Sequence, residues 1–92
     1  MIRKYRLKAP PAEARDAVMN GLLPILRSAE GFHAYWSVEC TDGDIAGISI
    51  FETKALADAA TDKTLSWVEA NIRHLVELPL EAMFGGEAYQ LA

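Results

Sequence analysis

The sequence predicts an α+β domain in which a four-stranded antiparallel sheet carries two helices on one of its faces. Segments with apolar residues at alternate positions are typical of strands, and segments with apolar residues every three or four positions are typical of helices. The two kinds of segment follow one another in the order β-α-β-β-α-β, the split-βαβ pattern. Because the chain has 92 residues, we expect a single domain spanning residues 1–92.

The first part of the chain is predicted to form a strand and an interrupted helix. Ile2 to Lys8 alternates in the manner of a strand, which Pro10-Pro11 ends. Ala12 to Ser28 has helical spacing of its apolar residues. Asn20-Gly21 and Pro24 interrupt this spacing, so we expect a kink or a division into two short helices.

Two strands joined by a tight turn are predicted next. Gly31 is placed to end the first helix in a left-handed cap, and the second strand runs from Phe32 to Cys40. The sequence Thr41-Asp42-Gly43-Asp44 signals a tight turn, because Asp-Gly tolerates the positive φ that hairpins require. The third strand, Ile45 to Glu52, is therefore expected to run antiparallel to the second.

The last part of the chain is predicted to form a long helix and a short strand. Thr53 is a candidate N-cap for a helix from Lys54 to Leu78, which Pro79 ends. The apolar stripe of this helix consists of Leu65, Val68, Ile72, Leu75 and Val76. Gly85-Gly86 precedes the predicted final strand, Glu87 to Leu91.

The predicted second and third strands are apolar on both faces, which indicates self-association. One helical layer can cover only one face of the sheet. The expected partner is a second copy of the chain, a homodimer formed through the open face of the sheet. Tyr35 and Trp36 lie on opposite faces of one strand, so one is expected to line a pocket and the other the subunit interface. The spacing alone does not decide which residue does which.

Composition and charge exclude several classes of function. The net charge of −4, from thirteen acidic and nine basic residues, gives no general attraction to nucleic acid or anionic lipid. No apolar run is long enough to span a membrane, so a cytoplasmic location is expected. The single cysteine, Cys40, cannot form an internal disulfide. The two histidines lack companions at ligand spacing, so neither a metal nor another cofactor is expected.

Several local signatures resemble the antibiotic-biosynthesis-monooxygenase-like (ABM) family of dimeric α+β barrels. They are Glu30-Gly31-Phe32 before an aromatic strand, Ile48-Ser49-Ile50-Phe51-Glu52 before a helix, and Trp67-Val68 within that helix. The resemblance covers nearly the whole chain and implies ferredoxin-like protomers that pair through the uncovered faces of their sheets. Members include cofactor-free oxygenases acting on polyketide-derived aromatic rings, haem-degrading enzymes and small proteins without demonstrated activity.

The candidate catalytic residues lie on the second predicted helix. Trp67, Asn71 and His74 are spaced at i, i+4 and i+7, which places them on one face of a helix. We expect this row to border the cleft between the helices and the sheet, here called the helix–sheet cleft. Thr64, Tyr35 and Tyr5 are the candidate pocket residues. An indole N–H, an amide and an imidazole can supply shape, a donor and a base to a substrate.

The expected function is that of a small homodimeric monooxygenase-like protein that oxidises a small aromatic substrate in the helix–sheet cleft without a cofactor. The resemblance supports Trp67 most, because oxygenases of the family often use a pocket Trp with an Asn partner. The alternative is a non-catalytic dimer that binds a small ligand or has a structural or stress-related role. In that case Trp67 fills core volume, while Asn71 and His74 face water. Haem degradation is disfavoured because Tyr5 stands on the first strand where that branch has an Asn.

Four of the nine basic residues lie within the first eight positions. They are Arg3, Lys4, Arg6 and Lys8. The cluster has two interpretations: an anion-binding patch, or ion pairs with Glu39, Glu52 or Glu87 on neighbouring strands.

Overall fold

The structure, a computed structural model, describes all 92 residues and has α+β architecture. Four strands form one antiparallel sheet in the order β2-β3-β1-β4, which is compatible with a ferredoxin-like fold. The strands are β1 (Ile2–Tyr5), β2 (Phe32–Glu39), β3 (Ile45–Phe51) and β4 (Ala82–Phe84). The helical segments are α1 (Pro11–Ala17), a π-helical turn (Val18–Leu22), α2 (Leu23–Arg27) and α3 (Lys54–Asn71).

The interruption expected in the first helix is the π-helical turn. Within it the N–H of Leu23 donates to the carbonyl of Val18, five residues earlier. Pro24 follows at once and has no N–H to continue the ordinary four-residue ladder. The wider turn lets residues 11–27 stay helical across the proline.

The predicted hairpin turn and the predicted N-cap of α3 are confirmed by their local geometry. Gly31 and Gly43 have φ of +74° and +91°, the left-handed conformation that glycine adopts without strain. Thr53 caps α3, because its Oγ1 accepts a hydrogen bond of 3.2 Å from the N–H of Leu56. Gly43 lies where the hairpin turns, and Thr53 lies where α3 begins. The predicted cap at Gly31 is wrong, because the helix already ends at Arg27 with Ser28 as its C-cap, and Gly31 lies in the turn that leads into β2.

The long helix is shorter than predicted. It ends at Asn71 rather than Leu78, because Ile72 leaves the helical region with φ of −125°. Residues 75–77 instead bond to the chain beyond β1, with Lys8 N–H donating to Leu75 and Glu77 N–H donating to the carbonyl of Arg6. This pairing takes over residues 6–8, so the first strand ends at Tyr5 rather than Lys8, apart from one bridge between Leu7 and Val76. The pairing of residues 75–77 with residues 6–8, in place of further helix, leaves Leu75 and Val76 buried.

The position predicted for the last strand is wrong. Residues 87–91 form no regular structure, and β4 lies before Gly85-Gly86 rather than after it. Phe84 pairs with Ile2, and Glu81 N–H donates to the carbonyl of Lys4 at 2.8 Å. The edge of β1 is thus paired with residues 82–84, before the chain reaches the segment predicted to be the strand.

One face of the sheet is covered by the helices, and the other is uncovered. A continuous apolar row crosses all four strands on the uncovered side: Trp36, Ile48, Ile2 and Phe84. We call this side the open face. Trp36 and Phe84 are 55% and 59% exposed.

Phe32 departs from the predicted alternation of the second strand. A bulge between Phe32 and Ala34 shifts the register. Phe32 therefore packs edge-to-face on Phe51, against the cluster of Leu22, Leu26 and Ala60.

Candidate functional site

A small cavity of about 30 Å³ lies in the helix–sheet cleft. Its walls are mainly apolar and come from α1, the π-helical turn, α3 and the covered face of the sheet. The polar residues on the lining are Arg3, Tyr5, Tyr35, Ser37 and Thr64. A cavity of this size holds about two water molecules or a group of a few non-hydrogen atoms. The three predicted pocket residues therefore lie at one cavity.

Gly47 makes space for the polar side of this cavity. It stands in the middle of β3, between Arg3 on β1 and Ser37 on β2. A Cβ at this position would overlap Tyr35 Oη and would lie 3.4 Å from Arg3 Nη2. Sequence reasoning missed this role, although a glycine inside a strand often marks the close approach of another group.

Arg3 carries a buried charge that no carboxylate balances. The residue is only 1% exposed, and none of the ion pairs of the protein includes it. Its Nε is buried without a hydrogen-bond partner. A guanidinium does not lose its proton in proteins, so the charge persists in this low-dielectric environment. The cleft is consequently electropositive at its sheet side.

Two other basic residues of the N-terminal cluster, Lys4 and Arg6, have acidic partners. Lys4 Nζ lies 2.7 Å from Asp42 and 3.3 Å from Asp44, while Arg6 pairs with Glu81 at 3.1 Å. These carboxylates differ from those predicted, because Asp42 and Asp44 of the hairpin turn and Glu81 before β4 lie next to the basic side chains. Of the three predicted acidic partners, only Glu39 forms an ion pair, and that pair is with Arg15.

Two tyrosines border Arg3 in the cleft. Burial raises the pKa of both Tyr5 and Tyr35 above the ordinary value of 10.0, and the nearby Arg3 charge opposes that rise. Both phenols are therefore protonated at neutral pH. Tyr5 Oη is buried and has no hydrogen-bond partner. Together with Arg3 Nε, it leaves two unpaired polar atoms on residues of one cavity.

The predicted row of Trp67, Asn71 and His74 does not line the cavity. Trp67 packs on both core clusters and on Gly21, where a Cβ would lie 2.5 Å from the indole Cζ2. Asn71 is exposed and donates its Nδ2 to the carbonyl of Trp67 at 2.9 Å. His74 is exposed and lies beyond the end of α3, so it cannot continue a helical row. The catalytic roles of these residues stay predictions.

The structure decides the orientation of β2 that the sequence left open. Tyr35 lines the helix–sheet cleft, and Trp36 lies on the open face. Thr64 also lines the cleft and is 1% exposed, but its hydroxyl already donates to the carbonyl of Ala60 at 2.9 Å. Arg3 and Tyr5 are therefore the residues that offer unused polar groups to an occupant.

A second, larger concavity lies beside the open face. This groove of about 870 Å³ runs between the end of β3 and residues 85–89. Its lining includes Ile48 and Phe84 of the open face together with Tyr89. It is open to solvent, and sequence reasoning missed it because residues 87–91 were expected to be a strand.

Neither a metal centre nor a membrane-crossing helix is present in the structure. No group of three or more histidine, cysteine, aspartate or glutamate residues is arranged to hold a metal ion. No helix combines the length and the apolar character needed to traverse a bilayer.

A scan against protein-family models, a search of curated proteins and a search of solved structures each returned no match.

Proposed function

We propose that this protein is a homodimer that binds a small molecule in the helix–sheet cleft of each protomer. The observation that carries the proposal is the pair of buried polar atoms without partners, Arg3 Nε and Tyr5 Oη, on two residues that line a mainly apolar cavity. Buried polar groups are nearly always hydrogen-bonded in folded proteins. Unused groups in a concave site are typical of ligand positions.

Pairing of two copies is supported by the open face. Its apolar row crosses the whole sheet, and Trp36 and Phe84 remain more than half exposed in the isolated protomer. A contiguous apolar surface of this kind favours association with another protein surface. A second copy of the chain offers the same apolar row as a partner surface, and two-fold pairing is the commonest arrangement of homo-oligomers.

Cofactor-independent oxidation of a small aromatic substrate in the same cleft is the second candidate function. The buried charge of Arg3 favours it, because such a reaction needs the deprotonated ring of the substrate to be stabilised in a dry site. An aromatic ring is larger than the 30 Å³ cavity, so this function requires the helices and the sheet to separate when the substrate enters. Binding of a smaller ligand requires no such opening, and we therefore rank it first.

Ligand binding is tested by the fluorescence of Trp67. The chain has two tryptophans, so a Trp36→Phe variant leaves Trp67 as the single reporter beside the cleft. Titration with small aromatic probes, phenol and benzoate among them, is expected to change its emission saturably. Calorimetry of the same samples should give a rise in Tm, because a ligand that binds only the folded state stabilises it.

Two controls separate the possible functions. Blocking the cleft with Gly47→Ala should abolish the saturable response, since the added methyl group displaces Tyr35 and crowds Arg3. Consumption of oxygen with any probe would support the oxygenase, whereas binding without consumption supports the binding protein. Absence of both a saturable response and a Tm shift with these probes would refute the binding of aromatic molecules in the cleft.

A further inference from the structure

Only two charged residues of this protein are buried, and they differ in how their charges are balanced. Asp44 is 4% exposed and lies 3.3 Å from Lys4 Nζ. Arg3 is 1% exposed and has no acidic residue within ion-pair distance. A buried charge without a counter-ion is strongly unfavourable. The Arg3 side of the cleft is thus the place in the fold where an added negative charge is most favoured.

The unpaired groups define what an occupant must provide. Arg3 Nε is a donor only, and Tyr5 Oη carries a proton at neutral pH because burial raises its pKa. Both groups can therefore donate to acceptor atoms of one molecule in the cavity. The hydroxyl proton of Thr64 is already engaged by Ala60. A water molecule would accept these bonds but would leave the guanidinium charge unbalanced.

We infer that the helix–sheet cleft binds a small carboxylate, held by Arg3 and Tyr5. This inference rests on the proposed use of the cleft as a ligand site, and it names the chemical class of the ligand. The planar fork of a guanidinium matches the two oxygens of a carboxylate, and such charge-assisted bonds are stronger than neutral ones. The cavity of about 30 Å³ admits an anion of the size of formate, or the carboxylate end of a larger molecule.

The test compares sodium formate with sodium chloride at equal ionic strength. We expect formate to raise the Tm of the wild-type protein saturably, with chloride binding at least tenfold more weakly because it lacks two oxygens in one plane. Binding is checked independently by the line width of ¹³C-formate in NMR spectra. Equal responses to the two salts, or no saturable response to formate, would overturn the inference.

Arg3→Met removes the charge while keeping a long apolar side chain. Formate should no longer shift the Tm of this variant, and its Tm without formate should equal or exceed that of the wild type, since no unpaired charge remains. Arg15→Met is the matched control, because Arg15 is exposed and pairs with Glu39. It should respond to formate as the wild type does. A full formate response in Arg3→Met would overturn the inference.

Arg3→Lys and Tyr5→Phe provide readouts if Arg3→Met fails to fold. Lysine keeps the charge but not the planar fork, so the affinity for formate should fall at least tenfold. Tyr5→Phe removes one donor at nearly constant volume and should weaken binding several-fold. Unchanged affinity in both variants would overturn the assignment of these two residues.

The outcomes distinguish this inference from the proposed function. A formate response that depends on Arg3, without a Trp67 response to any aromatic probe, supports the carboxylate site and contradicts binding of aromatic molecules. A Trp67 response to phenol that formate does not displace supports a ligand cleft and contradicts the carboxylate assignment.

Discussion

At the scale of single residues, glycine is needed at two positions because a side chain there would collide with a neighbouring residue. Gly47 leaves room for Tyr35 and Arg3 in the cleft, and Gly21 in the π-helical turn leaves room for the indole of Trp67 on α3. Neither glycine has a positive φ, so contact rather than backbone conformation explains them. Because these glycines have no side chain, Arg3 and Tyr35 can pack against Gly47, and Trp67 can pack against Gly21.

Gly21→Ala should destabilise the fold. The new methyl carbon would lie 2.5 Å from Trp67 Cζ2, and overpacking of this kind costs about 1–3 kcal/mol. The higher helix propensity of alanine offsets about 1 kcal/mol of that loss. Urea unfolding measures the net change. Gly86→Ala is the control, because nothing lies within 4 Å of its Cβ position, and its stability should stay within about 0.5 kcal/mol of the wild type. Equal effects of the two variants would contradict the packing of Trp67 on Gly21.

Tyr5 and Tyr35 should make the protein lose stability at alkaline pH. Well below pH 10 both phenols are protonated in the folded and the unfolded chain, and their ionisation contributes nothing. Above the ordinary pKa of 10.0 the unfolded chain releases protons that the folded chain retains, because burial raises the folded-state pKa. The free energy of unfolding therefore falls as pH rises through this range.

The alkaline loss is measured from urea midpoints between pH 8 and pH 11.5. Tyr5→Phe should lose less stability over this range than the wild type, because one buried phenol no longer ionises on unfolding. Tyr89→Phe is the comparison: Tyr89 is exposed, and its pKa is raised first by a hydrogen bond to Glu87 and only second by burial. An identical pH profile for Tyr5→Phe and the wild type would argue against a buried Tyr5.

At the scale of elements, the beginning of α3 depends on one side chain. Thr53 Oγ1 accepts from the N–H of Leu56, and no acidic residue of the first turn supports the helix dipole. Thr53→Ala should cost about 1 kcal/mol of unfolding free energy, measured by urea denaturation. Thr53→Ser should retain most of the stability, because serine offers the same oxygen. Equal losses in the two variants would contradict the cap.

The elements that the sequence predicted well are those with a local signal. The Asp42-Gly43 turn and the Thr53 cap each depend on the conformation of one or two residues, and both are present. The end of α3 and the position of the last strand were predicted wrongly for a different reason. Pairing of residues 75–77 with residues 6–8, and of β4 with β1, joins segments distant in the sequence and leaves no local pattern.

The candidate site likewise contains residues that the sequence pointed to and one, Arg3, whose role depends on the pairing of distant segments. Tyr5, Tyr35 and Thr64 were candidate pocket residues, although strand alternation left Tyr35 and Trp36 undecided, and all three lie at the cavity. Arg3 looks like the other basic residues of its strand in the sequence. Its burial depends on the space above Gly47, which only the pairing of β1 with β3 reveals.

At the scale of the whole molecule, the open face predicts the state of assembly. Sheet-to-sheet pairing should give a dimer at micromolar concentration in sedimentation experiments. Trp36→Asp places a charge in the apolar row, so it should reduce the dimer or unfold the protein with it. Met19→Asp is the control, because Met19 is 57% exposed on the helical side. A wild-type protein that sediments as a stable monomer would contradict the homodimer, and an unaffected Trp36→Asp dimer would contradict pairing through this face.

The strand order β2-β3-β1-β4 leaves β2 at one border of the sheet. Alternate peptide groups of a border strand point away from their neighbour and meet solvent. In deuterated water the amide protons of β2 should consequently fall into two sets, one replaced quickly and one slowly. Those of β3 at positions 45–48, flanked by β2 and β1, should all be replaced slowly. This alternation of fast and slow amide exchange along residues 32–39 should also be seen in a dimer that pairs face to face, because that contact leaves the outer edge of β2 exposed to solvent.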